Sequence, residues 1–156
     1  MSIDPTVRPA HIVDMSVVLD LDAQHRSVLL NQRGGIAWLA EHAPLITLSP
    51  QDVVESSFVG EIDGAVIGFL RGTIDHIPAR GKVYTVDRVF VVEQARQLGF
   101  GDALLAAAME LAMSNLCVAI EANALPGDRE TKNLYERAGI TARNIIVSRP
   151  LGSTIY

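Results

Sequence analysis

The stretch VFVVEQARQLGFGDALL, residues 89–105, decides the fold of this 156-residue chain. Its first part is rich in Val and Phe, which is typical of a buried strand. Its last part begins a run of apolar residues at helical spacing, over residues 99–114. Arg96, Gly99 and Gly101 stand between the two. Because a helix start presents unpaired N–H groups and glycine lets the backbone approach a ligand, this junction predicts an anion-binding turn.

Two other phosphate-binding turns do not fit this junction. The dinucleotide fingerprint requires a third small residue three places after Gly101, where Leu104 stands. No Gly-Lys-Ser or Gly-Lys-Thr occurs in the chain, which excludes a P-loop.

The remaining elements follow from periodicity and turn residues. Asp63-Gly64 separates two β-type runs and predicts a hairpin, and Asp128 and Gly139 bracket a last helix. The predicted helices are residues 14–30, 36–41, 49–56, 99–114 and 129–138, and the predicted strands are residues 6–10, 58–62, 65–72, 82–92, 116–122 and 140–147. This order predicts an α/β fold, with a mixed sheet and helices on both faces, in a single domain over residues 1–156.

Composition excludes several classes of protein. The net charge of −5 argues against a general nucleic-acid binder, and the longest apolar run, residues 103–109, is too short to span a membrane. One cysteine leaves no disulfide framework and no cysteine-clustered metal site. The first residues lack the features of a secretory signal. We therefore expect a cytoplasmic protein with no metal, no nucleic-acid partner and no membrane partner.

The charge is unevenly distributed along the chain. Residues 1–75 carry a balance of −6, whereas residues 76–156 carry +1. The second part contains the predicted anion-binding turn. The first part is therefore available to attract a cation, and the second to receive an anion.

Two segments resemble the GNAT superfamily of N-acetyltransferases. Val91 followed by Arg96-Gln97-Leu98-Gly99-Phe100-Gly101 is similar to its acyl-CoA-binding motif, and NLYERAGI, residues 133–140, is similar to its L-Y-E-x-x-G-F segment. The hairpin at residues 59–72 and the opening VRPA fit the same plan. The resemblance covers nearly the whole chain in the same order.

The resemblance implies a splayed central sheet and acetyl-CoA as the acyl donor. Pantetheine would lie along the backbone of Phe90 and Val91, and the pyrophosphate on the amides of the turn that runs from Arg96 through Gln97, Leu98, Gly99 and Phe100 to Gly101. Tyr135 matches the position whose hydroxyl serves as general acid toward the CoA thiolate. The acceptor would be a primary amine of a small molecule or peptide, and a homodimer built on the sheet edge or the last strand is compatible with this fold.

Asp87 is the candidate acid–base residue on the acceptor side. Asp87 and Arg88 interrupt an apolar strand, where a charge is either paired or functional, so a structural ion pair is an equal alternative. Glu61 and His76 are lower-ranked candidates for the same role. Asp128 replaces the Asn that the family often has seven residues before the tyrosine, and the C-terminal end is short. These departures favour the alternative of a non-catalytic acyl-CoA sensor or interaction module.

Overall fold

A five-stranded mixed sheet forms the centre of the computed structural model, which describes residues 4–152. The strands lie in sequence order, the first four antiparallel and the last parallel to its neighbour. They are β1 (Thr6–Pro9), β2 (Ser57–Ile62), β3 (Ala65–Ile77), β4 (Gly81–Val91) and β5 (Ala119–Ala122). The predicted hairpin at Asp63-Gly64 is confirmed, but β3 continues through residues that the sequence placed in a polar loop.

In the described part of the chain, five α-helices connect and cover the strands. They are α1 (Met15–Leu29), α2 (Gly35–Glu41), α3 (Pro50–Glu55), α4 (Phe100–Ser114) and α5 (Arg129–Arg137). The predicted cap at Asp128 is present, and Ser49 also caps a helix: their side chains accept hydrogen bonds from backbone N–H groups in the first turns of α5 and α3. Gly139, just beyond α5, has φ of +81°, a conformation that favours glycine.

The sheet buries both faces. Phe69 and Leu70 are adjacent in β3 and both fully buried, yet they belong to two different cores. Phe69 packs in a core that contains Val18 of α1, and Leu70 in a core that contains Leu104 of α4 and Leu134 of α5. Since successive side chains of a strand point to opposite faces, helices cover both faces of the sheet, as the sequence predicted.

The sheet opens between β4 and β5. Strand β5 pairs only with residues Val83 to Val86 of β4, whereas β4 continues to Val91. No strand of the described part of the chain pairs with the last five residues of β4 on this side. The result is the splayed sheet that the family resemblance implied, with an unpaired backbone edge along residues 87–91.

A β-bulge lies where the opening begins. Arg71 of β3 faces Arg88, and the next residue, Gly72, faces Val86, so Asp87 is an extra residue without a partner in the register. The bulge shifts the alternation of side chains, because Val86 lies in the core beneath α4 and Phe90 in the core beneath α1.

The predicted strand at residues 140–147 is wrong. These residues form no strand, and Ile145, Ile146 and Val147 are more than 80% exposed. Residues with a high strand propensity form a strand only where a neighbouring strand is available for pairing. The preceding strand, β5, is only four half-buried residues long. The predicted buried strand from Leu116 is shorter for a related reason: Leu116 has φ of +60° and ends the turn after α4, with its side chain exposed.

Candidate active site

The turn between β4 and α4, which the sequence predicts to bind an anion, leaves its backbone N–H groups uncovered. Gln97 and Gly99 both have positive φ, of +68° and +89°, and no side chain caps the first N–H groups of α4. Phe100 is buried against the sheet, where a Cβ on Gly60 would lie 2.9 Å from its ring. Phe100 therefore anchors α4 on the sheet. The backbone N–H groups of the turn remain available to a ligand.

Arg96 lies across the open edge of β4. Its Nε–H donates to the Val91 carbonyl at 3.0 Å, and its guanidinium carbon lies 5.6 Å from the Phe90 ring centroid. Its Nη1 is 3.5 Å from Glu130 of α5. The Val91 carbonyl thus faces the opening, with a positive charge beside it.

A small cavity lies between β4, α1, α2 and α5. Its volume is about 30 Å³, enough for a water molecule. It is lined by residues of β4, of the segment after β5 and of the flanking helices, among them His25, Trp38, Asp87, Asn123, Asp128 and Tyr135. The fold therefore brings Asp87 and Tyr135 to one cavity beside the unpaired edge of β4, although 48 residues of sequence separate them.

Tyr135 lies on α5 with only 6% of its surface exposed. Burial, and secondarily the negative charge of Asp128, hold the pKa of the Tyr135 hydroxyl well above its ordinary value. Asp128 is fixed by hydrogen bonds from the N–H and Oγ of Thr131, at 3.1 and 2.6 Å. The Tyr135 hydroxyl therefore keeps its proton at neutral pH.

Asp87 lies among arginines. Its Oδ2 accepts from Arg71 Nη1 at 2.9 Å and from Arg88 Nε at 2.7 Å. Burial pushes the pKa of Asp87 upward, but the charges and hydrogen bonds of Arg88 and Arg71 outweigh it and hold the pKa below its ordinary value. Asp87 is therefore ionised, and the ion pair that the sequence left as an alternative is present.

Arg88 connects this carboxylate to the acidic half of the chain. Its Nη1 donates to Asp22 of α1 at 2.9 Å, and its Nη2 to the Ala43 carbonyl at 3.1 Å. Asp22 also accepts from the N–H of Leu45. Arg88 and Asp22 are both almost fully buried, so the network fixes α1 and the segment after α2 against β4.

Sequence reasoning missed His25 and Trp38. The His25 ring lies 5.4 Å from the Phe90 ring and 5.6 Å from the Trp38 ring, and burial lowers its pKa to about 4. A signal was available, because Asp22 and His25 are polar residues on the buried face of α1.

The lower-ranked base candidates lie elsewhere. His76 is exposed near the end of β3, roughly 16 Å along the sheet from the level of Asp87. Glu61 accepts hydrogen bonds from Arg8, at the other side of the sheet. Neither residue lines the cavity.

Within residues 4–152, no group of three His, Cys, Asp or Glu side chains is arranged to hold a metal ion. The described helices include none with the length and hydropathy needed to cross a bilayer.

Solved structures, among them acetyltransferases, share this fold. AAC(6')-Iy, in complex with the bisubstrate analogue CoA-S-monomethyl-acetylneamine, is 20% identical with a TM-score of 0.68, covering 95% of this chain and 99% of its own. A ribosomal-protein-alanine N-acetyltransferase from Brucella melitensis biovar Abortus 2308 is 18% identical with a TM-score of 0.67, covering 96% and 99%. A tetramutant of the BH1408 protein from Bacillus halodurans is 19% identical with a TM-score of 0.74, covering 94% and 99%.

The sequence itself carries the family assignment. A comparison with curated proteins finds no significant match. Residues 28–140, well over half of the chain, match the acetyltransferase (GNAT) family. This range contains the open edge of β4, the turn between β4 and α4, and Tyr135. The chain belongs to the GNAT family and is an acetyltransferase of that type.

Proposed function

We propose that this protein transfers an acetyl group from acetyl-CoA to a primary amine of a small molecule or peptide. The observation that carries the proposal is the cavity shared by Asp87 and Tyr135, at the point where β4 loses its partner strand. A buried proton donor, an ionised carboxylate and an open backbone edge meet there. Such groups can assist direct transfer of an acyl group from a thioester to an amine, a reaction that needs no metal.

The backbone of β4 and of the following turn fits CoA. The N–H groups from Arg96 to Gly101 would hold the pyrophosphate, since the positive φ angles of Gln97 and Gly99 shape a turn at a helix start. Pantetheine would lie along Phe90 and Val91. Arg96 would exchange its hydrogen bond with the Val91 carbonyl for one with the ligand. When bound, acetyl-CoA supplies an activated acyl carbon and a thiolate leaving group.

The side chains of the cavity would handle the protons. The acceptor nitrogen must be neutral when it forms the new C–N bond. As the C–S bond breaks, Tyr135 would give its proton to the departing sulfur. Asp87 would act on the acceptor side, where its charge holds and orients the amine. Backbone N–H groups near Val91 would stabilise the negative oxygen that develops on the carbonyl.

The charge distribution favours a cationic acceptor. Residues 1–75, with a balance of −6, supply α1 and α2 beside the cavity. An acidic approach raises the local concentration of cationic amines. The structural relatives bear names that refer to an aminoglycoside derivative and to a ribosomal protein. We therefore keep both small molecules and peptides as acceptor classes.

Release of CoA thiol in the presence of amines tests this function. A panel of polyamines, aminoglycosides and peptides with free N-termini is incubated with the protein and acetyl-CoA. We expect thiol release that depends on the amine and is faster for cationic than for neutral acceptors. A sensor or interaction module would bind acetyl-CoA but release no thiol with any amine.

We also propose that residues 1–156 form one domain that works in the cytoplasm. The two cores share one sheet, which supports a single folding unit. A homodimer through the exposed residues 141–152 is compatible with their apolar side chains. Light scattering on the purified protein measures its mass in solution.

A further inference from the structure

His42, just after α2, has a defined tautomer. Its ring stacks on Trp38 with centroids 4.0 Å apart and planes inclined by 8°. Its Nδ1 lies 2.8 Å from the Trp38 carbonyl. Because a carbonyl only accepts hydrogen bonds, Nδ1 must carry the proton. The other nitrogen, Nε2, therefore presents a lone pair in the neutral ring.

That lone pair faces a second acceptor. His42 Nε2 lies 4.0 Å from Asp87 Oδ1, and both arginines that bind Asp87 use Oδ2. Among the described residues, none donates a hydrogen bond to Oδ1. The separation exceeds hydrogen-bond length, and the neutral ring has no hydrogen on Nε2 to share. Two acceptors at this spacing fit a group with several N–H donors between them.

Both side chains are accessible from solvent. The exposed fractions are 18% for His42 and 17% for Asp87. Trp38 and Asp87 both line the cavity that contains Tyr135. The gap between His42 and Asp87 thus lies beside the proposed reaction centre.

We propose that the primary ammonium of the acceptor binds between Asp87 Oδ1 and His42 Nε2, and that His42 removes its proton. This inference rests on the proposed function and names both the acceptor class and the base. One N–H bond of the ammonium breaks and an Nε2–H bond forms, which leaves a neutral amine and an imidazolium. The Asp87 carboxylate and the Trp38 carbonyl stabilise that imidazolium, and its proton then passes to solvent.

Charged and titratable groups reach His42 directly or through its neighbours. Arg26 of α1 donates to the His42 carbonyl, and Arg88 lies against Trp38. Arg71 of β3 and Arg88 of β4 bind Asp87, Arg88 binds Asp22 of α1, and His25 of α1 packs against Trp38. Asp87 is the anion among them that faces Nε2.

The pH dependence of kcat/KM separates a base from a packing residue. His42→Phe keeps an aromatic ring to stack on Trp38 but has no Nε2, and His42→Gln removes the ring. We expect both variants to lose about 100-fold in kcat/KM, to lose the rising limb of the pH profile, and to bind acetyl-CoA as before. His76→Gln, an exposed histidine far from the cavity, is the matched control. Wild-type rates or an unchanged pH profile in His42→Phe would overturn the proposal.

A spectroscopic test does not depend on turnover. ¹⁵N NMR of the His42 ring should show the proton on Nδ1 near neutral pH. Millimolar 1,4-diaminobutane should shift the Nε2 resonance, whereas the neutral 1,4-butanediol should not. A proton on Nε2, or no response to the diamine, would overturn the inference. Failure of the wild-type protein to acetylate any amine would instead overturn the proposed function.

Discussion

At the scale of single residues, burial and neighbouring charges determine which side chains of the site carry a proton. Tyr135 is buried without a positive partner and keeps its proton, whereas Asp87 is buried with two arginines and stays ionised. The sequence indicated both residues, one by a motif and one as a charge within an apolar strand. It could not predict that Arg71 and Arg88 share one oxygen of Asp87, because Asp87 is 16 residues from Arg71 in sequence and the pairing of β3 with β4, including the bulge, brings them together.

Tyr135→Phe tests the role of the hydroxyl. The change removes one oxygen and leaves the ring in its core, so folding should be retained. We expect kcat to fall by roughly 100-fold, while the dissociation constant of acetyl-CoA changes by less than about threefold. Steady-state kinetics and calorimetry measure the two quantities. Equal losses in both would assign Tyr135 to packing or to CoA binding.

His25 makes stability depend on pH. Its pKa is lowered to about 4, mainly by burial, against an ordinary value of 6.5. Between these values the unfolded chain binds a proton that the folded chain does not, so stability falls as pH decreases through this window. The loss from pH 7.5 to pH 5 should be about 2 kcal/mol from this group. Urea unfolding at both pH values measures it.

A variant without the imidazole provides the comparison for that effect. His25→Gln should lose about 2 kcal/mol less than the wild type between the same pH values, whatever its stability at pH 7.5. An identical pH dependence in the two proteins would contradict a buried neutral His25.

At the scale of elements, the proposed cofactor region consists of the open edge of β4 and the turn that follows it. The turn and its helix follow from local sequence, since Gly99 and the apolar period of α4 are enough to place them. The register of the strands does not follow from local sequence. The four-residue pairing between β4 and β5, and the absence of a strand at residues 140–147, depend on long-range contacts that periodicity does not contain.

Gly99→Ala tests the backbone conformation of the turn. Gly99 has φ of +89°, and an added Cβ would lie 3.3 Å from Pro5. Positive φ costs alanine roughly 1–2 kcal/mol, so the turn should relax and redirect its N–H groups. We expect acetyl-CoA affinity to fall about tenfold, as measured by calorimetry.

Gly139→Ala is the matched control for that variant. Gly139 has φ of +81° at the end of α5, with open space around it. It should lose a similar amount of stability and keep its acetyl-CoA affinity. If both variants lose affinity equally, the effect is general destabilisation and the turn has no special role.

At the scale of the whole molecule, the two halves of the chain differ in charge and, in the proposed function, in role. The acidic half supplies α1 and α2 on one side of the cavity, and the later half supplies Tyr135 and the turn predicted to bind an anion. Composition alone indicated the difference in charge, but not that the two halves of the chain meet at one cavity. The buried pair of Asp22 and Arg88 joins the halves across the sheet and holds Asp87 at the cavity.

Removal of residues 144–156 tests the contribution of the C-terminal segment. Residues 144–152 are exposed, while Arg143, which pairs with Glu121, is retained. We expect Tm to change by less than about 3 °C, which corresponds to under 1 kcal/mol in a chain of this size. A much larger decrease in Tm, together with a change from dimer to monomer mass by light scattering, would show that this segment is buried in a dimer.

The central claim is that the open edge of β4 and its turn bind acetyl-CoA for transfer to an amine. Isothermal titration of the full-length protein with acetyl-CoA tests it most directly. We predict saturable one-to-one binding with a micromolar dissociation constant, weakened by Gly99→Ala. The absence of binding at millimolar acetyl-CoA would contradict the account.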